Sequence, residues 1–376
     1  MLKKIIPFLL IIVLLASCSV SDEDFLGYIT KNEKDKVKSA LEKGANPNAK
    51  LGDSTTALML ALQSGFNEIA KILIENKADV NFKKNNGETA LHIAAQFSDS
   101  SVVKMLLDKK VDISLRNQDG LSAFDIAVIN GRLTVLDLFI KAGADINART
   151  VEDMTPLMLS LARDKDSTAK YLISHGADLN IVSNMGLTPL MYACFRGHQD
   201  IAKQLIDKGA SVNQKSETNA TAFLLSAASG NLELVKMLMQ YSPDINIKDN
   251  DGATPLLVAC EYGGAEIARF LIQNGAIVNQ QSADGFTPLM IAAQSKSNDL
   301  FNLLLEKGAE VNVKTQSGLT ALMLAAATNN EDFVRVLLKK GANINDISEE
   351  GKTALKLAEE TKNQQLITLL KNAGAK

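Results

Sequence analysis

The sequence predicts an all-α repeat solenoid: about eleven units of 33 residues, each a helix–turn–helix joined to the next by a β-turn or hairpin tip. Three observations carry this expectation. A Thr-Ala/Pro-Leu motif recurs, with substitutions, at Thr56, Thr89, Ser122, Thr155, Thr188, Thr221, Thr254, Thr287, Thr320 and Thr353, each 33 residues from the last. A Gly, mostly followed by Ala, keeps the same step at Gly44, Gly143, Gly176, Gly209, Gly275, Gly308, Gly341 and Gly374. The Asn of a Val/Ile-Asn pair keeps it a third time, at Asn81, Asn147, Asn213, Asn246, Asn279, Asn312 and Asn345. Self-similarity at a fixed step of a few tens of residues marks stacked repeats rather than one globular core.

The first element stands apart from the rest. Lys3 and Lys4 precede an apolar stretch from Ile5 to Ala16, and Cys18 follows. A membrane-spanning helix needs ~20 apolar residues, so this stretch is too short to cross and has the length of a secretory signal core. Leu15-Ala16-Ser17-Cys18 resembles the lipobox of bacterial lipoproteins at every position. The resemblance implies cleavage after Ser17 and lipid attachment to the Cys18 thiolate, the natural nucleophile for that chemistry. Several acyl chains hold a protein firmly on a membrane, where one holds it only marginally. An ordinary signal with an incidental Cys is the other reading. Residues 1–17 are thus expected to be a signal peptide, 18–22 the lipidated Cys and a short linker, and 23–376 the repeat domain. Ser19 in place of an Asp favours the outer membrane of a bacterial envelope, with the periplasmic or surface side open.

The units themselves follow from local physics, as the one beginning at Thr188 shows. The Thr188 hydroxyl can cap a helix, and Pro189 takes the first helical position, where its missing N–H costs nothing. Leu190, Tyr192 and Ala193 give one apolar face, which Gly197 ends. Ile201, Ala202, Leu205 and Ile206 repeat at helical spacing in a second helix, and Gly209 supplies its left-handed stop. Where the turn Gly is missing, Asp153 and Asn219 replace it, two residue types that tolerate positive φ. No unit can bury its faces alone, so neighbours must stack. Lys36 and Ser39 in the first unit, and Lys356, Glu359 and Lys371 in the last, take second-helix positions that are apolar in most other units, as end caps require. An N-terminal cap over 23–48, full repeats from about 49 and a C-terminal cap over 350–376 are expected. With helices ~8–10 Å apart, the array would be roughly 100 Å long and curved.

These residues resemble the ankyrin repeat, whose pattern is a turn, Thr-Pro-Leu-His, two Ala-rich helices and Gly-Ala-Asp-Val-Asn. The resemblance covers roughly 23–376. It implies protein binding through a concave face built from the turn tips and first helices.

Composition narrows function by exclusion. Apolar residues make up 46% and aromatics 5%, with no Trp, which suits many small helices packed through Ala, Leu, Ile and Val. The formal charge of −3 gives no clustered positive face for nucleic acid. A basic column at Lys50, Lys83, Arg116, Arg149, Lys215, Lys248 and Lys314 reads as a solvated edge offset by neighbouring acids. Cys194 and Cys260 occupy a position where other units have Ala. They lie two units apart, on the order of 20 Å, and so are core residues rather than a disulfide. His92, His175 and His198 are scattered, with no metal-ligand or nucleophile–base spacing. His92 holds the family's Thr-Pro-Leu-His position, where the resemblance implies a hydrogen bond between units. Met59, Met158, Met191, Met290 and Met323 depart from it there, which puts that bond in question and raises an oxidant sink as a speculation. Carboxylates recur once per repeat, and no stretch is left to hold a catalytic domain. The chain is therefore expected to be a non-enzyme with no cofactor or metal, a monomer whose partner is another protein.

The contact-prone positions are those just before each Thr and seven and eight residues after it. In the centre of the array they carry Met154, Met185, Leu187, Phe195, Arg196, Tyr262 and Phe286, with Leu121 and Phe97 extending the strip more loosely. Apolar area with aromatics and Arg is where interface hot spots concentrate. The leading expectation is a membrane-anchored scaffold that binds protein through this strip. A surface-exposed host-binding adhesin or effector and a periplasmic factor protective against oxidants are the alternatives.

Overall fold

The structure, a computed structural model, describes residues 20–376, so the signal peptide and Cys18 lie outside the described residues. The described residues form two compact units, one ending at Asp145 and the other Ile146–Lys376. Both are built of paired antiparallel helices, the expected all-α repeat architecture.

The first unit holds four helix pairs: Asp22–Thr30 with Lys34–Glu42 (α1, α2), Ala57–Gln63 with Asn67–Glu75 (α3, α4), Ala90–Phe97 with Ser100–Asp108 (α5, α6), and Ala123–Ile129 with Leu133–Lys141 (α7, α8). Helix α1 starts inside the stretch read as linker. Ser21 caps it by accepting the Asp24 amide at 3.1 Å, and Asp22, Glu23 and Asp24 place negative charge at its positive end. Each following hairpin is closed by a bridge between the residue six before the cap and the cap itself: Lys50 with Thr56, Lys83 with Thr89, Arg116 with Ser122. Between the helices lie Phe25, Ile29, Leu58, Ile69, Leu73, Leu91 and Leu106, all buried, and Phe124 meets Phe139 edge-on at 5.9 Å. Lys36 is exposed and Ser39 half-buried, as an end unit requires.

The second unit holds seven pairs: Pro156–Ala162 with Asp166–Ser174 (α9, α10), Pro189–Arg196 with Gln199–Asp207 (α11, α12), Ala222–Ser226 with Leu232–Met239 (α13, α14), Pro255–Val258 with Gly264–Gln273 (α15, α16), Pro288–Ser295 with Asn298–Glu306 (α17, α18), Ala321–Ala327 with Glu331–Lys339 (α19, α20), and Ala354–Thr361 with Gln364–Asn372 (α21, α22). The Thr hydroxyl caps the first helix of every pair, as when Thr188 accepts the Met191 amide at 3.2 Å. Asp153 and Asn219 adopt φ of 55° and 65°, the left-handed turn their residue types allow. Lys356 and Glu359 prove to lie on the first helix of the last pair, not the second, and are exposed there with Lys371.

The recurring Asn residues explain the fixed step. Asn279 accepts the Glu310 amide at 2.9 Å and donates to the Gly308 carbonyl at 3.2 Å, both one unit further on. Asn312 repeats this with Asn343 at 2.8 Å and Gly341 at 3.0 Å. The side chain thus ties one turn to the next at these positions. Hairpin tips add main-chain bonds, such as Ala283 N–H to Asp251 O at 2.8 Å. That approach is close: a Cβ on Gly186 would meet the Glu217 nitrogen at 2.6 Å.

One unit breaks the pattern. Helix α15 ends after four residues, and the chain continues as a π-turn over Ala259–Gly263. In the units where a Gly stands nine residues after the cap, such as Gly197 and Gly230, it takes the left-handed φ. Here Gly263 stays helical at φ −86° and Gly264 takes over with φ 80°. A Cβ on Gly263 would lie 2.0 Å from the Ala227 carbonyl oxygen, so only glycine lets this turn rest on the preceding unit.

Candidate binding surface

The strip read from the sequence lies on the hairpin-and-first-helix face of the second unit, and the structure divides its members. Met185 and Phe195 are each 52% exposed and Tyr262 66%. Met154, Leu187 and Phe286 are half-buried. Phe97 and Leu121 belong to the first unit, where Phe97 is exposed and the Leu121 carbonyl accepts from His92.

Phe195 and Tyr262 stand on units two apart. Between them the intervening unit presents only Ala228 and Ser229, seven and eight residues after Thr221. The result is an open hollow of about 440 Å³ lined by Phe195, Arg196, Ala228, Ser229 and Tyr262. The π-turn carries Tyr262, so its wider winding and the Gly263 contact set that wall. A second hollow of about 420 Å³ lies one unit on, between Ala253, Leu257 and Val258 on one side and Phe286 and Ile291 on the other, with Glu261, Gln294 and Ser295 at its edge. Val258 and Leu225 also pack against the buried group of Ala220, Leu224 and Ile247. The site therefore combines large walls with small floors. Met154, Met185 and Leu187 line neither hollow.

Sequence reasoning found the walls and missed the floors. Ala228, Ser229 and Ala253 carry no signal by residue type. What marks them is register, a small side chain where the flanking units have Leu187, Phe195, Tyr262 or Phe286.

Arg196 lines the hollow and is also paired with the preceding repeat. Its Nε donates to Asp164 at 2.9 Å, and its Nη2 donates to the other oxygen of the same carboxylate. The guanidinium holds the Asp164 carboxyl below the usual carboxylate range, and Arg196 is raised in turn. His198 adds to this cluster, with Nε2 3.1 Å from Asp164 and Nδ1 3.0 Å from Asp166. Arg196 thus borders the hollow as a fixed, paired cation. Tyr262 has its phenol pushed above the usual range, chiefly by hydrogen bonding with Glu261.

Of the residues weighed for chemistry, Cys194, Cys260 and His92 are built into the interior, whereas His175 is exposed and His198 half-buried. Cys194 and Cys260 are free and buried, and burial raises both thiols. His92 Nδ1 accepts from Thr89, and its Nε2–H donates to the Leu121 carbonyl at 3.2 Å, the bond between units expected there. In two of the Met units the sulfur replaces only the first half of this. Met158 Sδ accepts the Thr155 amide at 3.4 Å and Met191 Sδ the Thr188 amide at 3.5 Å, both within their own unit. All five methionines of that column are at most 1% exposed, which removes the oxidant sink. His175 stacks on Tyr171 at 3.9 Å. The basic column is partly neutralised: Arg116 meets Asp125 at 3.0 Å, Arg149 meets Asp153 at 3.6 Å, Lys314 meets Asp346 at 2.7 Å, and Lys50 lies over the Phe82 ring. Among the described residues, no group of three His, Cys, Asp or Glu could hold a metal ion, and no helix is long and apolar enough to cross a membrane.

Comparison with known families agrees with this geometry. A three-copy model of ankyrin repeats matches residues 26–117, 124–216, 223–315 and 297–376, and a many-copy ankyrin-repeat model matches 98–140. No curated protein matches the chain.

Proposed function

Since the chain belongs to the ankyrin-repeat family, whose arrays are generally protein–protein interaction modules, we propose that it is a membrane-anchored, non-enzymatic scaffold that holds a protein partner against the hollowed face of its second unit. The observation that carries this reading is the pair of exposed aromatics, Phe195 and Tyr262, facing each other across Ala228 and Ser229. Aromatic walls around a recess are what interface hot spots require, since a partner side chain entering it is desolvated on several sides at once. The buried His92 and the buried thiols of Cys194 and Cys260 serve packing, and the exposed face is the part of the unit open to a partner.

Anchoring rests on the tetrapeptide Leu15-Ala16-Ser17-Cys18. Helix α1 begins at Asp22, four residues after Cys18, so a lipid there holds the array within ~14 Å of the headgroups. The protein then works as a fixed docking post of a bacterial envelope, with the outer membrane as its seat. Metabolic labelling with a fatty-acid analogue should mark the wild-type chain and spare Cys18→Ala, and labelling of both would refute the anchor. Protease treatment of intact cells then reports the side: digestion means the surface, protection the periplasm.

The binding reading is tested by a photo-crosslinking amino acid placed in the membrane-anchored chain. Installed at position 228, in the hollow, it should trap a discrete partner. Installed at the exposed Lys203 of α12 it should not. Equal trapping at both, or trapping at 203 alone, would contradict the assignment.

A further inference from the structure

The charges around the two hollows define the chemistry of what fits them. Moving along the face, the hairpin of residues 182–187 carries no charged side chain and offers Met185 and Leu187. The next three hairpins place Glu217, Asp251 and Asp284 at their tips, and Glu261 stands between the hollows. All four carboxylates are exposed, and none forms a salt bridge among the described residues. The nearby cations offset them only in part, although Lys215 and Lys296, beside Ser295, are exposed. Arg196 is committed to Asp164. Lys215 and Lys248 stand at the hairpin roots, and with the Gln280 amide turned to face it Lys248 donates there at 2.6 Å. The face is thus apolar at one end and acidic at the other, with the aromatic-walled hollow at the join.

Resting on the binding reading above, we propose that the occupant is a lysine- or arginine-flanked apolar segment of a partner protein. Its aliphatic or aromatic side chains enter the hollow between Phe195 and Tyr262, and its cationic flank lies along Glu217, Asp251 and Asp284. Neighbouring units are ~8–10 Å apart, so the three tips span about 20 Å, and an extended segment at ~3.3 Å per residue covers them with about six residues. Opposite charges steer the segment and fix its direction, while the hollow supplies the desolvated contact. A membrane surface is a poor occupant, because its anionic headgroups would meet the same carboxylates.

The test uses the full chain in mild detergent and three fluorescent twelve-residue peptides: a Leu/Phe core with Lys flanks, the same core with Glu flanks, and a Ser core with Lys flanks. The Lys-flanked apolar peptide should bind roughly tenfold more tightly than either of the others, the scale expected for a few exposed charge pairs added to a buried anchor. Raising salt should weaken it, since exposed charges are screened beyond ~10 Å at 0.1 M. Glu217→Lys/Asp251→Lys/Asp284→Lys should reverse the preference toward the Glu-flanked peptide. If that variant fails to fold, Glu217→Gln/Asp251→Asn/Asp284→Asn should erase the preference instead. Equal or tighter binding of the Glu-flanked peptide, no binding of the Lys-flanked one, or a preference untouched by the substitutions would overturn the proposal. Crosslinking at position 228 separates the two readings. A partner trapped there without any charge preference ends this inference alone, and no partner trapped there ends the binding reading with it.

Discussion

His92 is almost fully buried and bonded at both ring nitrogens, one within its unit and one to the next. Burial lowers its pKa from the usual 6.5, because the charged ring would lose its hydration. Below that value the unfolded chain takes a proton that the folded chain refuses. Stability therefore rises with pH through the window between the folded value and 6.5, and is lost as pH falls from 6.5. His92→Met substitutes the residue that fills this position in five other units. Urea unfolding from pH 7.5 to pH 5 should show a smaller acid loss in the variant than in wild type, and parallel curves would contradict the argument. The same position shows where residue-level reading reached its limit. The missing histidines made the bond between units questionable, rightly for Met158 and Met191, but only coordinates show that the thioether still accepts the Thr amide. Arg196 shows a second limit. Its partner Asp164 lies 32 residues away, and no local pattern marks that pair.

At the scale of the element, the π-turn at Ala259–Gly263 is what turns a regular face into a walled hollow. Nothing in the repeat pattern sets its consecutive glycines apart from a single turn glycine, yet the left-handed conformation passes from Gly263 to Gly264. Gly263→Ala would drive a Cβ into the Ala227 carbonyl, a backbone atom that cannot swing aside. The cost should be about 1–3 kcal/mol, as for other overpacked sites. Denaturant unfolding at constant m-value should report it, and a variant as stable as wild type would mean that the close packing is dispensable. The Asn ties are testable in the same way. Asn279→Ala removes three hydrogen bonds at a solvated edge and should cost about 1–2 kcal/mol. A loss below a few tenths would show that the main-chain bonds between hairpin tips suffice.

At the scale of the whole molecule, ten capping positions at one unbroken step made the fold legible before any coordinate, because the period alone dictates stacking. The face was legible in part. Phe195, Tyr262 and Phe286 announce themselves by size, whereas the hollows exist only as the difference in volume between one unit and its neighbours. Electrostatic polarity was hidden for a related reason. A net charge of −3 spread over 376 residues says nothing about three acids left unpaired on successive tips.

The most direct measurement is capture of the crosslinked partner by a Phe195→Ser/Tyr262→Ser variant of the anchored chain, run beside its thermal melt. Both side chains are mostly exposed, so the melt should match wild type while the crosslink at position 228 disappears. An intact melt with undiminished crosslinking would contradict the claim that this hollow is where the protein holds its partner.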